Sequence, residues 1–172
     1  AIARYADALF ADTPGAPKVL LLGGPSAREA AEVDMWQRRM EHQVLSGWQR
    51  QFQYGEGVDY FKQYVAWAED SVPSVPGLRK MVTTNLAWLE DQMAARAAAG
   101  RDTGFIAGTA DYTIVDLQMI CTADFMAKVN AGKKTEPFDA RDAFGPWLQD
   151  WAERMREIVK ELSKPPPAPT RL

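Results

Sequence analysis

The stretch of sequence that decides the fold is Gly104-Phe105-Ile106-Ala107-Gly108, followed by Thr113-Ile114-Val115-Asp116-Leu117. Two glycines within five residues predict a tight turn that leads into a helix. Thr113 takes the N-cap position and Asp116 the third helical position, so the hydroxyl can accept from the Asp116 N–H while the carboxylate reaches back to the Thr113 N–H. We therefore predict that Thr113 and Asp116 form a structural capping box, not a catalytic pair, at the start of a helix over 113–130.

A second capping box, Ser26-Ala27-Arg28-Glu29, predicts the start of another helix. Apolar residues follow it at spacings of three and four, which place them on one helical face: Val33, Trp36, Met40, Val44, Trp48 and Phe52. Gly55 and Gly57 are expected to end or kink this helix.

Three further segments have helical patterns. We expect a helix over 60–71, a turn bracketed by Pro73 and Pro76, and a long helix from about Gly77. The apolar stripe of the long helix consists of Leu78, Val82, Leu86, Leu89 and Met93. A final helix is predicted from a second stripe, which consists of Phe144, Trp147, Leu148, Trp151, Met155, Ile158 and Leu162. No segment alternates with a period of two, so the predicted fold is an all-α bundle.

Composition excludes several classes of function. A formal charge of −3 over 172 residues gives no basic footprint for nucleic acid. The longest apolar run, over 19–22, is too short to cross a bilayer. A single cysteine and a single histidine exclude an internal disulfide and argue against a zinc site, so we expect no metal and a reducing, cytoplasmic location. Cys121 lies among apolar residues and is expected to be a buried, inert thiol.

Several segments, taken in order, resemble the C-terminal all-helical domain of cytosolic glutathione transferases of the bacterial type. They are Val33-Asp34-Met35-Trp36-Gln37-Arg38-Arg39-Met40-Glu41, Asn85-Leu86-Ala87-Trp88-Leu89-Glu90, Phe105-Ile106-Ala107-Gly108 with Thr113–Asp116, and Phe144-Gly145-Pro146-Trp147-Leu148. Ala1-Ile2-Ala3-Arg4-Tyr5 resembles the last helix of that family's thioredoxin-like domain. The resemblance implies a last helix of a missing thioredoxin-like domain at 1–12, a linker at 13–25, the helical domain at 26–163 and a mobile proline-rich tail at 164–172.

The same resemblance implies a function. The first residue is alanine and the chain opens inside a helical pattern, so we expect a piece of a longer protein. In this family the catalytic Ser, Tyr or Cys and most glutathione contacts lie on the thioredoxin-like domain, so no catalytic residue is expected here and the chain alone is expected to be inactive. The helical part would hold a small apolar electrophile beside the co-substrate glutathione, in a cytoplasmic detoxification enzyme that forms a homodimer.

The resemblance also implies site residues on the helix that starts near Ser26, whose first half is expected to face the missing domain. Trp48 and Phe52 fall at positions that line the electrophile pocket, with Met35 and Arg39 nearer the helix start. Arg38 and His42 fall where glutathione would be contacted. Ordinary bundle core for the two aromatic residues, and surface ion pairing for the two arginines, are the alternatives.

A second function fits the same resemblance. Some glutathione-transferase-like helical domains serve only as protein-interaction modules in larger assemblies. A serine hydrolase built on His42 and Ser46 is disfavoured, because the sequence has no Gly-x-Ser-x-Gly turn.

Overall fold

The computed structural model describes Leu22 and residues 26–63, 74–130 and 138–163, and this part of the chain is all-helical. The described residues form six α-helices: α1 (Ala27–Met40), α2 (Ser46–Tyr54), α3 (Val58–Phe61), α4 (Val75–Ala98), α5 (Ile114–Asn130) and α6 (Pro146–Leu162). A π-helical segment (Glu41–Leu45) joins α1 to α2, and a 3₁₀ turn (Ala140–Ala143) precedes α6. The predicted all-α fold is confirmed for these residues.

Several expectations lie outside the described residues. These are the helix at 1–12, the linker at 13–25 apart from Leu22, residues 64–71 of the predicted helix at 60–71, and the tail at 164–172. In the described part of the predicted helix at 60–71, the helix ends at Phe61, and residues 62 and 63 form a turn. Within the described ranges, no helix combines the length and apolar character that a bilayer span needs.

The capping box predicted at Ser26 starts α1. Ser26 is the N-cap, and its Oγ accepts a hydrogen bond from the Glu29 N–H at 3.2 Å and donates to Glu29 Oε2 at 2.9 Å. The Glu29 carboxylate therefore binds the Ser26 hydroxyl, and the helix starts where the sequence predicts.

The π-helical segment between α1 and α2 is a departure from the single helix that the sequence predicts. Val44 and Leu45 in this segment are buried. Asn85 of α4 donates from Nδ2 to the Gln43 carbonyl at 2.6 Å. A π segment interrupts the regular hydrogen bonds between residues i and i−4. The Asn85 side chain therefore provides a donor for a backbone carbonyl at this irregular turn.

Helix α4 is the central support for α2. Val82, Leu86, Leu89 and Met93 are buried on its predicted stripe, and Leu78 is partly buried. At Gly47 the two helices come close, since a Cβ there would lie 2.5 Å from Met81 Cε and 3.1 Å from Val82 Cγ2. The helix begins at Val75, with Pro76 in its first turn, so Pro76 starts the helix instead of closing a turn before it.

The turn before α5 is fixed by a buried carboxylate. Gly104 and Gly108 have positive φ, +80° and +75°. The Asp116 Oδ2 accepts from the Thr113 N–H at 2.9 Å, which is the predicted return bond, and the Thr113 hydroxyl donates to the same oxygen at 3.2 Å. The second oxygen, Oδ1, accepts from the Ile106 N–H and from Trp151 Nε1, each at 2.9 Å. Asp116 therefore joins the turn, the start of α5 and helix α6.

Helix α6 is capped by a residue far away in the sequence. Its N-cap, Gly145, has no side chain, and Glu90 of α4 takes over the capping role. Glu90 accepts from the Trp147 N–H at 2.8 Å and from the Leu148 N–H at 2.9 Å. This carboxylate satisfies two of the free N–H groups of the first turn and lies favourably at the positive end of the helix dipole.

Candidate functional site

Four aromatic side chains form an exposed cluster beside the C-terminal end of α2, which we call the aromatic patch: Phe52, Tyr60, Phe61 and Phe125. Phe52 is 7% exposed and lies at its base, whereas Tyr60 is 62% and Phe125 56% exposed. The Phe52 ring meets Phe61 at 6.0 Å and Phe125 at 6.4 Å between centroids, both edge to face. Such contacts hold the rings in defined orientations, and the result is a partly rigid apolar surface.

The glycine turn after α2 brings α3 into this patch. Gly57 is buried, and its N–H donates to the Phe52 carbonyl at 2.8 Å. A Cβ at Gly57 would lie 3.0 Å from two atoms of the Phe52 ring. The chain can therefore turn directly against Phe52 only because position 57 carries no side chain, and this places Tyr60 and Phe61 in the patch.

A cleft of about 420 Å³, which we call the arginine cleft, lies between α1, the C-terminal end of α4 and the turn before α5. Its apolar surface comes from Met35, Trp36, Met93 and Ala107, and its polar lining includes Glu32, Gln92, Arg96 and Arg101. Met35 is 44% exposed at this place. The arginine cleft shares no lining residue with the aromatic patch.

Arg96 is fixed in the wall of the arginine cleft. Its guanidinium donates to the carbonyls of Ile106, at 3.0 Å, and Phe105, and lies 3.9 Å from Asp102. Its buried Nε has no hydrogen-bond partner. Burial lowers the pKa of Arg96 below its ordinary value and the charge of Arg101 adds to that effect, although Asp102 and Asp116 oppose it. Burial is therefore the main cause of the lowered pKa, and the charge of Arg101 makes a smaller contribution in the same direction.

Asp102 is also held at this end of the molecule. Its carboxylate accepts from the Gly104 N–H at 2.8 Å and from Trp147 Nε1 at 2.9 Å. Partial burial raises the pKa of Asp102, but those two hydrogen bonds and the charges of Arg96 and Arg154 outweigh it, so the pKa lies below its ordinary value. The Asp102 carboxylate is thus hydrogen-bonded to both the glycine turn and α6.

The predicted glutathione contacts lie on exposed surface. Arg38 pairs with Asp34 at 3.0 Å, one helical turn away, which is the surface ion pairing that the sequence left open. His42 is exposed in the π-helical segment. Exposed pairs of this kind contribute little to stability, so the Arg38 side chain is available to a ligand at small cost.

The four predicted electrophile contacts do not converge. Trp48 is fully buried in the bundle core, and its Nε1 has no hydrogen-bond partner there. Phe52 lies at the base of the aromatic patch, while Met35 lines the arginine cleft. The Arg39 guanidinium lies over the Trp36 ring at 5.6 Å and over the Trp88 ring at 5.1 Å, a cation–π arrangement on two indoles.

Sequence reasoning missed the exposed members of the aromatic patch and both cleft arginines, Arg96 and Arg101. The sequence could have indicated that Phe125 is exposed, since it lies off the α5 face formed by Val115, Met119, Ile120, Ala123 and Met126.

The prediction of a buried thiol is wrong, because Cys121 is exposed on α5. Leu117, Ile120 and Phe125 lie near it on the same helix, but α5 turns this position away from the core.

Comparisons with known proteins give no family. No protein-family model matches the chain, and no curated protein is significantly similar to it. Among the described residues, no group of three or more His, Cys, Asp or Glu side chains is placed to hold a metal ion. The candidate sites therefore rest on their own geometry: an apolar aromatic surface and a separate cationic cleft.

Proposed function

We propose that this chain is the electrophile-binding, helical part of a glutathione transferase, which conjugates glutathione to apolar electrophiles when joined to a thioredoxin-like domain. The observation that carries the proposal is the contact between Phe52 and Phe125. Phe52 occupies a predicted electrophile-pocket position, and it supports an aromatic ring that is 56% exposed.

The aromatic patch suits an apolar electrophile for physical reasons. Burying exposed aromatic surface is favourable by roughly 25 cal/mol per Å² of apolar area. Flat rings in edge-to-face contact also lose little conformational freedom when a ligand binds, so a planar substrate is held at low entropic cost. Holding that substrate next to a glutathione thiolate would accelerate the transfer by proximity.

The remaining roles follow from position. The exposed side chains of Arg38 and His42 are proposed to contact glutathione, whose carboxylates suit a guanidinium. Phe52 is proposed to support the substrate region from beneath, whereas Met35 and Arg39 lie apart from the aromatic patch and are given no part in holding the electrophile. We further propose a cytoplasmic homodimer, with the catalytic group and most glutathione contacts on the thioredoxin-like domain.

The test is a glutathione transferase assay on the chain expressed with whatever coding sequence precedes Ala1, using a halonitroarene as electrophile. We expect glutathione binding by calorimetry and glutathione-dependent conjugation, whereas residues 1–172 alone give neither. Absence of both binding and transfer in the longer protein would reject the proposal.

A non-catalytic assembly module is the second candidate. The observation in its favour is that further large apolar side chains are exposed away from the patch, Met81 at 38% and Leu162 at 51%. An assembly module would bind neither glutathione nor the electrophile, and substitutions at Met81 or Leu162 would then disrupt a complex with another protein.

A further inference from the structure

We propose that the arginine cleft is a binding site for a small aromatic anion, such as an aryl carboxylate, with Arg101 as the residue that recognises its charge. This inference goes beyond the proposed transferase function and does not depend on it. The volume of about 420 Å³ lies in the range of small-molecule sites.

The cleft has an apolar surface of a kind that suits an aromatic ring. Met35 and Trp36 of α1 stand opposite Met93 and Ala107, which come from α4 and from the turn before α5. Met35 is 44% exposed, whereas Met93 and Ala107 are buried and form a fixed floor. Methionine sulfur and an indole ring both make favourable contacts with an aromatic ligand.

The charges of the cleft favour an anion. Among the described residues that line the cleft, the acidic side chain is Glu32, which is paired with Arg28 at 3.1 Å. Arg96 is held by two backbone carbonyls, and its nearest acid, Asp102, is shared with Gly104 and Trp147. The Arg101 side chain makes no hydrogen bond or ion pair with any described residue.

Arg101 is exposed to solvent and therefore presents a positive charge with no ion-pair partner among the described residues, next to a second, partly buried cation. Repulsion between the two is part of what disfavours the charged form of Arg96. An anion bound between them would remove this repulsion and gain a charge-assisted hydrogen bond from the free guanidinium. A neutral ligand of the same shape would gain neither, and this difference defines the expected specificity.

The experiment compares two probes on the full chain by isothermal titration calorimetry: 1-naphthylacetate and its neutral isostere 1-naphthylacetamide. We expect the carboxylate to bind at least about fivefold more tightly than the amide at low salt. This preference should shrink as the salt concentration rises from about 0.05 to 0.5 M, because exposed charges are then screened.

Two variants locate the site. Arg101→Gln should remove the preference for the carboxylate and leave amide binding unchanged, while Met35→Ala should weaken both probes. Arg50→Gln is the matched control, since Arg50 is an exposed arginine on α2 outside the cleft. Equal affinity for both probes, or an Arg101→Gln variant that behaves like Arg50→Gln, would overturn the proposal.

Discussion

Trp151 donates a hydrogen bond from Nε1 to Asp116 Oδ1 at 2.9 Å, and neither residue is exposed to solvent. The two residues lie on different helices and 35 positions apart. The same carboxylate accepts from the backbone of Ile106 and Thr113. A capping residue that looks local in the sequence is therefore a junction between α5, α6 and the glycine turn.

Asp116→Ala should destabilise the domain by about 3 kcal/mol or more, because it leaves several buried donors without an acceptor. Thr113→Ala removes one hydroxyl and should cost about 1 kcal/mol. Urea unfolding followed by circular dichroism measures both. Asp91→Ala, an exposed aspartate on α4, is the control and should stay within about 0.5 kcal/mol of the parent. An Asp116→Ala midpoint equal to that of the control would contradict the junction.

Gly145→Ala should destabilise the domain much less when Glu90 is also replaced by alanine. A Cβ at position 145 would lie 2.5 Å from Glu90 Cδ, so the alanine displaces the carboxylate that caps α6. Each single variant, Gly145→Ala and Glu90→Ala, is expected to cost about 1–3 kcal/mol. A double-mutant cycle from urea midpoints checks this, and simple additivity of the two costs would show that the residues act separately.

Asn85→Ala should loosen the π-helical segment by removing the donor to the Gln43 carbonyl. The expected cost is about 1 kcal/mol, together with faster amide hydrogen exchange over 41–45. Thr84→Ala, at an exposed neighbouring position on α4, serves as the control. If exchange in the segment is the same in both variants, Asn85 does not support the π segment.

The lowered pKa of Asp102 predicts that the stability of the domain depends on pH. Its pKa is lower in the folded state than its ordinary value of 3.8, so its contribution is present above that value and is lost as the pH falls through the folded pKa. The stability difference between the parent and Asp102→Asn should be constant at neutral pH and shrink below about pH 4. Urea unfolding at a series of pH values measures the difference, and one that grows on acidification would reverse the sign of the argument.

The sequence predicted the all-α fold, the start of α1 and the contact between Thr113 and Asp116, because capping and helical periodicity are local. It did not predict the break at Glu41–Leu45. It could not predict that Asp116 also binds Trp151, or that Glu90 caps α6, since both contacts join segments far apart in the chain. Such contacts depend on packing that no local pattern encodes.

The spacing of the apolar residues on α1 and α2 indicates an irregular turn in this part of the chain. Met40, Val44, Trp48 and Phe52 are all buried at a constant spacing of four. In a regular α-helix each such step rotates the side chain by about 40°, so the stripe would drift away from the core. One wider turn within the stripe corrects the drift, and the structure places it at Glu41–Leu45.

The candidate site was predictable only in part. Phe52 was named from the resemblance, but Phe125 and the turn that brings Phe61 to it belong to other segments. The arginine cleft is also formed by three separate segments. Its two cations are close in sequence, since the Arg101 N–H donates to the Arg96 carbonyl at 3.0 Å, but the apolar residues opposite them come from α1 and from the turn before α5.

The most direct test of the central claim is the electrophile dependence of glutathione conjugation in the longer protein carrying Phe125→Ala. If the aromatic patch holds the electrophile, kcat/KM for a halonitroarene should fall about fivefold to tenfold while the KM for glutathione stays unchanged. Leu162→Ala, which removes a similarly exposed apolar side chain at the end of α6, should leave both values as they are. Equal electrophile kinetics in the Phe125→Ala and Leu162→Ala variants would contradict the assignment of the patch.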